Sequence, residues 1–187
     1  MKNDQEEAYE KVLASTLARV IEFVKFAEAK NAALLTFSSA WILASINLTH
    51  GASPISDPDW LFVFKWALPF FTLGAIISII TFLPKTNLDK FHKDPEKHKS
   101  VLYFGDIATF SPAAYKERMQ KRYMPEEGHW ATQNYLDDLA IQINVNSSIA
   151  VMKFKFFNVG AAAVLTGIAL LLYPPVKAAV ASYFIPK

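Results

Sequence analysis

At 187 residues, with 52% hydrophobic and 19% charged side chains, the chain is more apolar than a soluble domain, which carries about 25% charged residues. A formal net charge of +2 is too small to argue for nucleic acid as a partner, and the absence of cysteine excludes disulfides, thiolate nucleophiles and thiolate metal sites. The apolar excess gathers in three blocks, near residues 31–48, 60–83 and 156–176. Each is close to the roughly 20 residues that a helix needs to cross about 30 Å of hydrocarbon.

The chain opens on Met1-Lys2-Asn3-Asp4-Gln5-Glu6-Glu7, polar and acidic. A signal peptide would be basic and then apolar, so the first membrane segment is expected to be retained. Residues 1–30 are read as an amphipathic cytosolic helix. Val12, Leu13, Leu17, Val20, Ile21, Val24 and Phe26 recur at helical spacing, and Glu10, Arg19, Glu22 and Lys25 fall on the opposite face. No glycine or proline separates this stretch from Ala32-Ala33-Leu34-Leu35. The spacing therefore predicts one helix that continues into a first transmembrane helix over residues 31–50, stopped by Gly51, Pro54 and Pro58. A second transmembrane helix, residues 60–83, starts at Trp60, a residue favoured at headgroup level. Lys65 can snorkel to the near interface, Pro69 predicts a kink, Gly74 permits close approach of a neighbour, and Pro84 ends the segment.

Residues 84–153 form a polar middle section. Residues 85–100 are rich in lysine and histidine and read as an exposed loop. Val101-Leu102-Tyr103-Phe104-Gly105-Asp106-Ile107-Ala108 fits a short strand or a buried turn, and Ser111-Pro112 opens a helix over 112–123. A second long helix begins near Thr132, with Leu136, Leu139, Ile143 and Ile149 as its apolar stripe. It runs into a third transmembrane helix, residues 154–174, expected to stop at Pro174-Pro175. The tail, residues 175–187, carries Tyr183-Phe184 and should lie at the far interface. Lysine and arginine number five in the N-terminal arm and nine between Lys85 and Arg122, against none over residues 48–59. The positive-inside rule then puts the N-terminus and the middle section in the cytosol. The fold class is an all-α integral membrane protein with three transmembrane helices, its long helices extending into a small, mainly helical cytosolic section.

Enzymatic motifs are missing: there is no P-loop, nucleophile elbow, paired-histidine helix or dinucleotide glycine fingerprint. The four histidines share no metal-ligand spacing, so neither a catalytic nor a metal site is expected. Asp137-Asp138 reads as a solvated helix face, since adjacent helical residues point about 100° apart. Gly160, Ala163 and Gly167 form a small-residue stripe suited to helix packing. Ser38, Ser39 and Ser45 do the same on the first span, or line a water path after a conformational change. Lys30, Lys153 and Lys155 read as cytosolic anchors, or as partners for a phosphate near the bilayer. Tyr103-Phe104-Gly105-Asp106 is either a core plug or a ligand site in which aromatic faces stack a base and the carboxylate accepts hydrogen bonds. Tyr103, Phe104, Asp106 and Lys153 are the candidate ligand-binding residues.

The pattern resembles the transmembrane effectors of the Pycsar anti-phage systems. The resemblance rests on Ala27-Glu28-Ala29-Lys30-Asn31-Ala32-Ala33-Leu34-Leu35, two closely spaced spans, and the run Tyr103-Phe104-Gly105-Asp106-Ile107. It continues through Asp138-Leu139-Ala140-Ile141-Gln142-Ile143 and Ile149-Ala150-Val151-Met152-Lys153 to a last span. The tail after Pro174-Pro175 departs from the family pattern. The resemblance implies a membrane effector activated by a cyclic pyrimidine mononucleotide, cUMP or cCMP, from a cognate cyclase. It also implies that the effector impairs the bacterial inner membrane in abortive infection, with no other cofactor. With three spans per chain, a homo-oligomer in the lipid bilayer is expected. The alternatives are a constitutive membrane scaffold or a small ion channel unrelated to defence.

Overall fold

The computed structural model describes residues 4–83, 101–102, 104–123 and 131–184, with the backbone alone at positions 5, 6, 104, 105, 131 and 132. The loop expected over 85–100 and Tyr103 lie outside these residues. Among the described residues the secondary structure is α-helical: α1 Asp4–His50, α2 Pro58–Phe82, α3 Phe104–Ile107, α4 Pro112–Tyr123, α5 Ala131–Leu171 and α6 Tyr173–Phe184. The strand reading of the 101–108 run is therefore corrected. Gly105 and Asp106 sit in a single helical turn, closed by Thr109 N donating to Asp106 O at 3.0 Å.

Helix ends follow local chemistry. α1 stops at His50, one residue before Gly51. Asp57 caps α2, its carboxylate accepting from Asp59 N at 2.8 Å, with Pro58 at the first helical position where no N–H is required. α2 passes Pro69 without interruption. Ser111 caps α4 as expected, accepting from Ala114 N at 3.2 Å. The stop expected at Pro174-Pro175 comes three residues early: α5 ends at Leu171, and the prolines fall in the first turn of a new helix, α6. A proline cannot donate to the ladder, but in a first turn no donor is needed.

Length alone decides where α1 and α5 must go. With 47 and 41 residues they are about 70 and 60 Å long at 1.5 Å per residue, roughly twice the hydrocarbon thickness. α1, α2 and the α5–α6 stretch are each long and apolar enough to cross a membrane. The chain divides into two compact units, Met1–Phe26 with Pro84–Met152, and Ala27–Leu83 with Lys153–Lys187. α1 and α5 belong to both.

The second unit is the membrane bundle. Its buried and half-buried seam positions follow one rule on every helix: Ala27, Asn31, Leu34, Ser38, Trp41 and Ser45 on α1; Trp60, Phe64, Ala67, Phe71, Gly74, Ser78 and Thr81 on α2; Lys153, Phe157, Gly160, Val164, Gly167 and Leu171 on α5. Steps of four and three alternate throughout, a 3.5-residue repeat that keeps the seam facing inward only if the helices supercoil left-handedly. The stripe on α5 passes through Val164 and not Ala163. Glycines set the approach: a Cβ at Gly74 would lie 2.5 Å from Val164 Cγ2, and one at Gly167 would lie 3.0 Å from the Phe71 ring. Phe71 in turn stacks on Trp41, with centroids 5.5 Å apart. Outside the seam the bundle shows large apolar side chains such as Leu43, Phe62 and Leu165. That surface would aggregate in water and suits lipid. Three transmembrane helices in an all-α membrane protein are thus what the sequence builds.

Candidate functional site

Two constellations of polar side chains stand out, one in each unit. In the first unit, α4 and α5 are clamped by Asp138. Arg122 donates to it through Nε at 2.6 Å and Nη2 at 2.8 Å, a bidentate fork, and the Tyr123 hydroxyl donates to the same carboxylate. Asn134 Nδ2 donates to Arg122 O at 2.8 Å, and the Tyr135 ring meets Tyr123 edge-on. Asp138 is 2% exposed. The expectation of a solvated Asp137-Asp138 face is therefore wrong for Asp138 and right for Asp137, which is exposed. The environment also moves acid–base behaviour. The hydrogen bond to Asp138 raises the Arg122 pKa, and burial, with the hydrogen bond to Asp138 second, pushes the Tyr123 phenol well above the ordinary tyrosine value.

The same pair of helices holds the run singled out in the sequence. Tyr115 OH donates to Val101 O at 3.2 Å and Gln142 Nε2 to Leu102 O at 3.2 Å, so the backbone just before Tyr103 is fastened from α4 and from α5. Val101, two residues before Tyr103, is 1% exposed. Asp106 is half-buried in α3, and its carbonyl accepts from the Thr109 hydroxyl at 2.7 Å. Arg118 lies over the Phe110 ring at 5.1 Å. The fold thus carries Phe104 and Asp106 in one helical turn beside a fixed anchor, directly after Tyr103. Among the described residues no cluster of His, Asp or Glu could hold a metal ion.

Lys153, the fourth candidate, belongs to the membrane bundle. Its side chain is 8% exposed, and Nζ donates to Glu28 Oε1 at 3.0 Å and to Thr81 O at 2.9 Å. Thr81 is in the last turn of α2, whose final carbonyls have no partner within the helix. Lys153 thus caps α2 from a different helix, with its cation at the negative end of the α2 dipole. One turn from Glu28, Asn31 Nδ2 donates to Ala27 O at 2.8 Å and, weakly, to Lys153 O at 3.5 Å. Lys30 lies over the Phe154 and Phe157 rings. At the other end of α2, Lys177 of α6 pairs with Asp59 at 2.5 Å.

A family model described as the Pycsar effector protein domain (PycTM) matches residues 12–184. The chain belongs to the Pycsar effector family. It is 39% identical, over 169 residues, to the Pycsar effector protein RsPycTM of a Rhizobium species, covering 88% of this chain and 93% of that one. No solved structure gives a significant match. Membership makes the chain a membrane effector of anti-phage defence. The match runs through α6, so the tail that looked foreign to the family is inside it.

Sequence reasoning did not find the Asp138 clamp in this effector. The signal was present: Asp138 falls in phase with Val145, a buried residue seven positions on. A charged residue in an apolar stripe asks for a partner. The Lys153–Glu28 pair spans 125 residues and has no local signature.

Proposed function

We propose that this Pycsar effector is switched on by a cyclic pyrimidine mononucleotide, cyclic UMP or cyclic CMP, made by a partner cyclase, and then breaches the bacterial inner membrane as a homo-oligomer. The N-terminus and the middle section lie in the cytosol, where the messenger is made. The carrying observation is that α1 and α5 each run without a break from the polar unit into the membrane bundle. A helix resists bending over such lengths, so a ligand that favours one arrangement of their polar ends biases the membrane ends too. It does so only by as much as it binds one arrangement better than the other.

Tyr103, Phe104 and Asp106 form the messenger contact: the rings stack the pyrimidine and the carboxylate accepts from the base or the ribose. Support for this is the fastening of Val101 and Leu102, the residues just before the run, by Tyr115 and Gln142. Lys153 is the candidate for the phosphate, with two of its three ammonium donors on Glu28 and Thr81 O. Its part in the response is at the membrane end. The effector carries out no chemistry in this reading.

The test is a thermal-unfolding titration of the detergent-solubilised protein with cyclic UMP and cyclic CMP, together with growth of cells expressing the cyclase and the effector. One of the two nucleotides should raise the apparent Tm, because a ligand that binds only the folded state stabilises it. Tyr103→Ala with Asp106→Ala should abolish that shift and the growth arrest. A shift unchanged by the double substitution would remove the binding assignment. Absence of any shift with either nucleotide would remove the messenger.

A further inference from the structure

The bundle seam is not uniformly apolar. From Trp41 and Phe71 toward Lys153 its buried side chains include Asn31, Ser38, Ser78, Thr81 and Lys153. In a transmembrane bundle such groups ordinarily hold helices together by bonding across them. Here the hydroxyls do not. Ser38 donates to Leu34 O, Ser78 to Gly74 O and Thr81 to Ser78 O, each within its own helix. Parting the helices would break none of these bonds. Asn31 goes further: at 0% exposure, its Oδ1 has no hydrogen-bond partner among the described residues. The amide orientation is fixed, because Nδ2 faces two carbonyls. A buried acceptor left without a donor costs the closed bundle free energy that contact with water would return. Beyond the weak Asn31 Nδ2 contact to Lys153 O, what crosses between helices here among the described residues is the Lys153 ammonium, through Glu28 and Thr81 O. Glu28 is 46% exposed, so water reaches this end first.

We infer that the polar half of the seam, Asn31, Ser38, Ser78 and Thr81, is the surface that faces water and small hydrated ions in the activated effector, and that the Lys153–Glu28 pair is the latch that keeps it shut. The stacked Trp41 and Phe71 rings bound this half of the seam, with Ser45 buried one turn beyond them. This assignment rests on the proposed breach of the membrane and names the residues that would carry it.

The chain has no cysteine, so single-cysteine variants report on one position each. Ser38→Cys and Ser78→Cys are placed on facing helices, and Leu43→Cys, 63% exposed on the outer face, is the control for lipid. Each protein is reconstituted in phosphatidylethanolamine–phosphatidylglycerol vesicles. Leak of a trapped anionic dye and reaction with a charged, water-soluble methanethiosulfonate are followed with and without cyclic UMP or cyclic CMP. Both seam thiols should be protected at rest and react about tenfold faster or more once the messenger is added, while Leu43→Cys stays unreactive throughout. Adding Lys153→Met to either seam variant should cause leak, and expose its thiol to reagent, without any messenger. Leak with both seam thiols protected would overturn the lining and leave the breach standing. If neither nucleotide makes the parent protein leak, the proposed trigger falls. The lining is then decided by Lys153→Met, where reactive seam thiols uphold it and protected ones overturn it.

Discussion

Asp137 and Asp138 carry the same side chain one residue apart, and their environments separate them. Asp138 is buried under the Arg122 fork; Asp137 faces outward. Removing one partner of a fully buried pair costs about 3–5 kcal/mol, and Arg122 keeps 32% exposure, so Asp138→Ala should cost about 2 kcal/mol while Asp137→Ala costs almost nothing. Thermal unfolding of the two variants in detergent checks both values. Tyr123 adds a pH dependence. Its folded pKa is raised above the ordinary value of 10.0, chiefly by burial, so the folded state holds the phenolic proton more tightly than the unfolded chain. Its contribution is complete below about pH 10, and is lost as pH rises from there through the folded pKa. Tyr123→Phe should therefore be less sensitive to alkali than the parent, read as the difference between their Tm-against-pH profiles above about pH 9 to 10. A parallel pair of profiles would show that the hydroxyl proton is not held by the fold.

At the scale of elements, what could be read in advance was what local chemistry determines. Gly51 after α1, Ser111-Pro112 before α4 and the apolar blocks within α1, α2 and α5 acted as their side chains require. The pairing of elements was harder to read, because it depends on phase. Several residue sets on α5 satisfy helical spacing, and only contact with α1 and α2 selects Gly160, Val164 and Gly167 over Gly160, Ala163 and Gly167. The 101–108 run was ambiguous for another reason: eight residues with Gly-Asp inside are too short for periodicity to tell a strand from a turn. Phase also makes a test. Gly74→Ala puts a methyl 2.5 Å from Val164 Cγ2, which should cost about 1–3 kcal/mol by overpacking. Val164→Ala alone should cost about 1–2 kcal/mol through the cavity it leaves. Combined, the two should cost less than the sum of the singles, because the second change clears the space the first one needs. Additive losses in detergent unfolding would mean that α2 and α5 do not meet at Gly74.

For the whole molecule, the proposed activation asks how a small ligand could act on a lipid-embedded bundle. α5 offers an answer, since one helix carries buried residues of both units, Asp138, Leu139, Val145 and Ala150 of one and Lys153, Gly160 and Val164 of the other. Under the proposed function, a rotation or slide of α5 imposed at one end is carried along the helix to the other. One alanine inserted between Met152 and Lys153 turns everything beyond it by about 100° relative to everything before it. The two stripes then cannot both face inward, and the helix must give up one unit's packing or break. Seven inserted residues advance the helix by nearly two turns, so the 3.5-residue stripes come back into phase to within about 20°. The single insertion should keep messenger binding in the thermal-shift assay and lose growth arrest, whereas the seven-residue insertion should recover a substantial part of it. If both insertions abolish growth arrest, transmission depends on the length of α5 and not on its angle. If the single insertion still arrests growth, the signal does not travel along this helix, and α1 is left as its path.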